Sequence, residues 1–518
     1  MSRHVEVAIV GAGFSGIGVA IALRRAGIGP FVVLEAADRV GGTWRDNTYP
    51  GAACDVPSNL YSFSFAPNPR WTRSFSPQAE IQRYLEACTR RFGIEPFISF
   101  DHRVDSARWD EAGQRWSLDT TGGPVTARYL VSARGPLSEP RLPAIPGIAE
   151  FGGTTFHSAR WDHTHDLSGE RVAVVGTGAS AIQFVPEIQP QVGSLTVFQR
   201  TAPWILPRRD RRLTSLEHRV FETFPPAQLA VRAAVYWARE GYVMGFVGDA
   251  ARRRRIMAPA QRVARRHLES QVPDPDLRAR LTPSYEMGCK RILLSNDYYP
   301  ALTRPNVEVV TDAIDRMDRR GVVTADGRHH RFDTVIWGTG FDVTGPSAAS
   351  STVGRGGVRL DQAWASGMGA YRGTTVSGFP NLFLMVGPNS GLGHTSIVFV
   401  IESQIAYVLD TLAVMARSGA AAFDVRPDVQ EHWNRQLAVR SRRTVWTSGG
   451  CTSYYLDAGG RNVAVWPGSS WSYRRSLRRF DPAAYRLDPA RVAATSGPPH
   501  PPDTTHPPPG VPLSPASR

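Results

Sequence analysis

Apolar residues run along this chain in short, nearly unbroken stretches that stop at glycine and resume at helical spacing. The first, VEVAIV (5–10), meets GAGFSG and continues as GIGVAIALRRAGI, with apolar positions every three to four residues. That succession predicts a buried strand, a tight turn and a helix. FVVLEA (31–36) reads as the next buried strand. The whole pattern returns at RVAVVGTGASAIQFVPEI (171–188), followed by the strand SLTVFQRTAP (194–203). Two further segments resemble each other, ARYLVSARGPLSEP (127–140) and FDTVIWGTGFDVTG (332–345), each a strand entering a glycine-containing crossover. Residues 211–286 are helix-rich and poor in turn signals.

The two glycine turns carry chemistry. Gly11, Gly13 and Gly16 let backbone approach a pyrophosphate at a helix N-terminus. Glu35 follows about 20 residues later, where a carboxylate accepts both hydroxyls of an adenosine ribose. The second turn has Gly176 and Gly178, with Ser180 and Ala181 opening the helix, but its next strand ends in Arg200 and Thr201. Arginine plus hydroxyl at that place favours a 2′-phosphate, hence NADPH. The acid-ended site at the N-terminus suits FAD. Together these readings predict an α/β fold of two dinucleotide-binding, Rossmann-like domains, the NADPH domain inserted in the FAD domain. The expected division is 1–140 and 343–490 for FAD, 141–210 and 287–342 for NADPH, 211–286 a helical insertion, and 491–518 a disordered, Pro-rich tail.

Composition narrows the reading further. A net charge of +14 would suggest a nucleic-acid or membrane partner, but the arginines are spread along the chain among Asp and Glu. The densest cluster, ARRRRIMAPAQRVARR (251–266), reads as a solvated helix face. No nucleic-acid partner is expected. The four cysteines, Cys54, Cys88, Cys289 and Cys451, form no CxxC pair, which argues against a disulfide framework, a zinc site and a thiol-redox centre. With a strand beginning by Val5 and no apolar run reaching about 18 residues, a cytoplasmic protein without integral membrane association is expected. The only lysine, Lys290, stands beside Arg291 in CKRILLSNDYYP, in a chain with 59 arginines.

FGGTTFHSARWD (151–162) has the spacing F-x-G-x-x-x-H-x-x-x-W-D, and GGTWRDNTYPGAACD (41–55) runs from G-G-x-W through Y-P-G to Asp55. Both strings resemble the fingerprints of type I Baeyer–Villiger monooxygenases, as do RTAPWILPRRD, GPNSGLGHTS and TSGGCTSYYLDAGGRN. Relatives that oxygenate nitrogen or sulfur, the alternative function, usually lack the W-D ending. The resemblance implies FAD reduced by NADPH, O₂ adding as a C4a-peroxyflavin, and attack on a ketone to give an ester or lactone. It implies Arg291 as the catalytic cation, Asp55 as its carboxylate partner, and Lys290 as an NADPH-phosphate contact. Thr43 and Trp44 are expected to line the flavin, Tyr61 and Gln183 to touch nucleotide, and Trp446 to lie near the nicotinamide. His157 is expected at the inter-domain linker, either in domain movement or as a satisfied structural histidine, and Trp161 in packing. GPNSGLGHTS (387–396) is expected beside the flavin ring, which backbone without side chains can approach closely. Two departures from the family stand out: Arg134 in place of a small residue, and Gly338 where alanine is common.

Overall fold

The computed structural model describes residues 3–343 and 347–490; the expected tail, 491–518, lies outside them. The chain opens with β1 (Arg3–Val10), α1 (Phe14–Arg25) and β2 (Phe31–Leu34). After α2 (Gln78–Arg91) come β3 (Val104–Asp110), β4 (Arg115–Thr120) and β5 (Val125–Ser132). A second series gives β6 (Thr154–His157), β7 (Arg171–Val175), α3 (Ala181–Ile188) and β8 (Ser194–Phe198). The helices α4 (Ser215–Thr223), α5 (Pro225–Glu240), α6 (Ala250–Gln271) and α7 (Pro275–Arg280) follow. Then come β9 (Val307–Val310), β10 (Thr334–Trp337), β11 (Leu382–Leu384) and the long helix α8 (Ile397–Ser418).

Two large sheets result, as the repeated pattern predicts, with three smaller ones of two or three strands among the described residues. In the first, β1 lies between β2 and β5 and parallel to both, while β11 pairs parallel with β5. Strands β4 and β3 extend it in antiparallel fashion beyond β5. The second sheet is parallel throughout, in the order β9-β8-β7-β10-β6. Every residue of β2 and β10 is buried. Strands covered on both faces need apolar residues pointing both ways, which is why they appear in the sequence as runs rather than alternations. Both glycine turns leave the carboxyl ends of β1 and β7, where open α/β sheets bind ligands.

Helix α8 has the length and composition to cross a bilayer, with mean hydropathy 1.7 over its most apolar window, but more than half of that window is buried. It is a core helix packed across α1. At the crossing a β-carbon on Gly18 would stand 2.7 Å from Ile405 Cδ1, so glycine sets how closely the two helices approach.

The two connections between the sheets run side by side. Arg141 N donates to Gly340 O at 2.9 Å, and Asp342 N to Glu139 O at 2.9 Å. Arg134 is absorbed by the first sheet: its guanidinium donates to Val104 O at 3.0 Å, and burial lowers its pKa.

The Y-P-G stretch docks on α3. Gln183 binds with both ends of its amide: Tyr49 OH and Ala53 N donate to Oε1 at 3.0 and 3.3 Å, and Nε2 donates to Ala53 O at 3.0 Å. Gly51, at φ +76°, presses against the same helix, where a β-carbon would lie 2.8 Å from Gln183 O and 3.0 Å from Glu187 Cγ. Replacing Gly51 by alanine should therefore cost about 1–3 kcal/mol of stability. A thermal melt checks this; an unchanged Tm would mean that the close approach does not persist in solution.

Candidate active site

At the first turn, Glu35 is buried and faces the backbone that leads into α1. Its Oε2 accepts from Ala12 N at 2.7 Å; its Oε1 accepts from Ala37 N at 3.0 Å and from Arg45 Nη1 at 2.7 Å. A carboxylate offers about four acceptor positions, so three are taken and one remains for a ribose hydroxyl rather than two. The short helix Thr43–Asp46 follows the Gly41–Gly42 turn, and Trp44 Nε1 donates to Tyr61 OH at 3.1 Å. The two rings meet edge to face, with centroids 5.5 Å apart, and both are half-buried. Thr43, Trp44 and Tyr61 thus form one patch beside the first glycine turn.

At the second turn, a β-carbon on Gly178 would meet no atom within 4 Å, so bare backbone faces open space. Ser180 is the N-cap of α3. Lys290 Nζ lies 5.2 Å from the centre of the Tyr285 ring, and burial together with the Arg200 charge lowers its pKa. Among the described residues neither Lys290 nor Arg200 has a carboxylate partner. Two cations brought together without an acid call for an anion. Open backbone, Thr201 and these two cations fit the phosphates of a dinucleotide. Gln183 instead stands on the Y-P-G stretch, its amide already bonded.

Between the two turns lies the ion pair. Arg291 Nε donates to Asp55 Oδ2 at 2.5 Å, and Nη2 donates to Oδ1, a two-point contact. The side chains are 35% and 22% exposed, and Nη1 has no hydrogen-bond partner among the described residues. Proximity to Asp55 raises the Arg291 pKa against the opposing effect of burial, so the guanidinium is permanently charged. Burial pushes Asp55 toward protonation, but Arg291 and then Arg239 outweigh it and hold its pKa below the usual carboxylate value. Arg239 comes from α5 and donates through Nη2 to Asp55 O at 3.3 Å. Cys54, adjacent, is a buried thiol pushed up to about 12 by burial and by Asp55.

The cysteine expectation needs correction. Cys289 and Cys451 are joined, with S–S 2.01 Å and Cα–Cα 6.1 Å, across 162 residues. Spacing rules register only pairs close in sequence; this one is made when the C-terminal segment folds over the 287–291 loop. The bridge sits in a buried cluster with Trp204, Phe246 and Trp446, and it ties the peptide carrying Lys290 and Arg291 to that segment. Trp446 is only 1% exposed, its ring edge pressed on the backbone of GPNSGLGHTS at Gly393.

Against this geometry the comparisons are specific. Residues 8–223 match the family described as pyridine nucleotide-disulphide oxidoreductase. A Baeyer–Villiger monooxygenase of Streptomyces coelicolor is 48% identical over 496 residues, 95% of each chain. This chain belongs to the Baeyer–Villiger monooxygenases. A closed crystal structure of cyclohexanone monooxygenase superposes with TM-score 0.81 at 27% identity, covering 95% of this chain and all of that one. OTEMO in complex with FAD and NADP superposes equally well, TM-score 0.81 at 26% identity, over 94% of this chain and 100% of its own.

Two residues of this Baeyer–Villiger monooxygenase escaped the reading of the sequence. Arg239 is one arginine among 59, and nothing local marks it as the one that reaches Asp55. Glu240 accepts from Ser470 N at 2.8 Å and Ser470 Oγ at 2.6 Å, and pairs with His394 Nε2 at 3.1 Å. It binds the insertion to GPNSGLGHTS and to the C-terminal helix. An acid at the end of an apolar helix was the available clue.

His157 and Trp161 lie beside the inter-sheet linkers. Trp161 packs between Phe156 and Phe184, with centroids at 5.1 and 5.2 Å. His157 accepts from Ala159 N through Nδ1 at 3.1 Å and meets Phe341 edge on at 5.8 Å. Burial lowers its pKa from 6.5 to about 4, so at neutral pH it carries no charge. The unfolded chain binds this proton more tightly, and stability should fall as pH drops from 6.5 to about 4. His157→Gln should flatten that part of the stability profile in denaturant titrations; an identical slope in both proteins would contradict the assignment.

Proposed function

We propose that this chain is an FAD- and NADPH-dependent monooxygenase that inserts one oxygen atom of O₂ beside a ketone carbonyl, giving an ester or a lactone. The observation that carries the reading is the Arg291 guanidinium, gripped along one edge by Asp55 and free at Nη1. FAD, reduced by NADPH and reacted with O₂, supplies the inserted oxygen. The residues do the rest. FAD belongs at Gly11, Gly13, Gly16 and Glu35, against Thr43, Trp44 and Tyr61. NADPH belongs at Gly176, Gly178 and Ser180, with Arg200 and Thr201 on the 2′-phosphate and Lys290 on a phosphate. Gln183 fixes the segment ending in Asp55 against the NADPH side, and Trp446 backs the flavin-side loop. The chain divides accordingly: 1–140 and 343–490 around FAD, 141–210 and 287–342 around NADPH, with 211–286 as the helical insertion.

Arg291 acts as a fixed positive charge. Ketone oxygenation of this kind develops negative charge on oxygen, first on the attacking atom and then on the former carbonyl oxygen. A preorganised cation stabilises that charge without reorganising. Asp55 orients the planar fork and prevents it from swinging into solvent. No proton transfer by His157 is required, which agrees with its neutral, buried state.

The direct test follows NADPH consumption across a panel of linear and cyclic ketones, with mass spectrometry for the gain of one oxygen. Oxidation of amines or sulfides with no ester from any ketone would overturn the proposal. Arg291→Ala should leave flavin reduction by NADPH within a few-fold of wild type and lower ester formation by about 100-fold or more; stopped-flow absorbance and product yield separate the two. Lys290→Ala should raise the KM for NADPH by about tenfold with kcat little changed. A KM equal to wild type would remove Lys290 from the cofactor site.

A further inference from the structure

Helix α5 turns a row of apolar residues toward water. Its polar residues face the protein: Gln228 Nε2 donates to Asn59 Oδ1 at 2.9 Å and to Asn68 O at 2.6 Å. Arg232 Nη1 donates to Asn59 O at 2.9 Å and to Ser62 Oγ at 3.0 Å. Arg239 and Glu240 continue this face onto Asp55, Ser470 and His394. The opposite stripe, at three- and four-residue spacing, is Leu229, Ala230, Ala233, Ala234, Trp237 and Ala238, all exposed. Trp237 is 62% exposed and Leu229 46%. Large apolar side chains are also exposed next to the helix ends, Phe224 before α5 and Met244 after it, each half exposed or more. A surface helix normally turns its apolar side to the core and its polar side to water. On α5 the inward face is mixed, with Val235 and Tyr236 packed on the core among the polar groups, while a row of apolar residues faces water, and an exposed apolar row of this length marks a contact surface.

Charge selects the occupant. The residues 241–245 lead from α5 and pack against α6, whose solvent face carries Arg252, Arg255, Arg262 and Arg266. The α6 arginines with carboxylate partners are Arg253 and Arg254, both on Glu286; among the described residues Arg252, Arg255, Arg262 and Arg266 have none, nor has the exposed Arg265. A second copy of this chain would bring the same arginines and the same net +14 to the contact. An acidic lipid surface brings the opposite sign. We infer that α5 seats this protein on the interfacial layer of an anionic membrane, its apolar stripe at the acyl boundary and the α6 arginines on phospholipid headgroups. The helix lies on the bilayer and does not cross it. Helix α5 also carries Arg239, which donates to Asp55 O, so the docking element reaches the residue that orients Arg291.

Flotation of the purified full chain with vesicles tests this. The protein should float with mixed phosphatidylglycerol–phosphatidylcholine vesicles and far less with phosphatidylcholine alone, and added salt should weaken the binding. The double variant Leu229→Ser/Trp237→Ser should lower the bound fraction by about tenfold, with flavin absorbance and soluble-ketone turnover unchanged. Arg252→Glu/Arg255→Glu should remove the preference for phosphatidylglycerol. Absence of wild-type flotation overturns the proposal. So does a variant lacking both apolar side chains that floats as well as wild type, which would reduce the contact to charge adsorption. Light scattering that shows a dimer dispersed by Leu229→Ser/Trp237→Ser, without flotation, would assign the stripe to a second copy and equally overturn it.

Discussion

A guanidinium in a partly desolvated site is tolerable only when a carboxylate compensates it, and Asp55 does so for Arg291 through two parallel contacts. The compensation is asymmetric. Asp55 is drawn below its usual pKa by Arg291 and Arg239 together, so the cluster keeps an excess of positive charge. Under the proposed function, that excess would serve the negative charge that develops on oxygen. Removing Asp55 would leave Arg291 and Arg239 facing each other without an acid, whereas removing Arg291 leaves Asp55 still beside Arg239.

The constraint reaches far beyond two side chains. Asp55 belongs to the segment that follows β2, Arg291 follows the four-helix insertion, and Arg239 lies within that insertion. Three distant parts of the sequence must therefore arrive at one point. Gln183 fixes the Asp55 segment to α3; the Cys289–Cys451 bridge fixes the Arg291 loop to the C-terminal segment; Glu240 fixes α5 to His394 and Ser470. Each fastening acts on the backbone next to a charged group, so the geometry of the ion pair is set by the fold and not by side-chain choice.

What could be read in advance follows from range. The sheets, the two glycine turns and the parallel crossovers are local patterns of apolar runs and glycine, and they were legible. The Arg291–Asp55 pairing was reachable only through resemblance to a family, since no spacing rule links positions 236 residues apart. The disulfide, the paired hydrogen bonds between Gln183 and Ala53 and the partial occupation of Glu35 by Arg45 were not legible. Each depends on where separate segments meet. The apolar run in α5 was visible as helix, but its orientation was not: the same periodicity fits a stripe turned inward or outward.

The paired linkers have a mechanical corollary. Residues 139–142 and 340–342 are hydrogen-bonded to each other as neighbours, so both covalent passages between the sheets occupy one narrow seam. A body joined to another along a single seam retains one rotational freedom, like a door on its jamb. Swinging of the second sheet would be resisted away from the seam by the Gln183–Ala53 hydrogen bonds, by Thr48–His163 and by the Arg291–Asp55 pair itself.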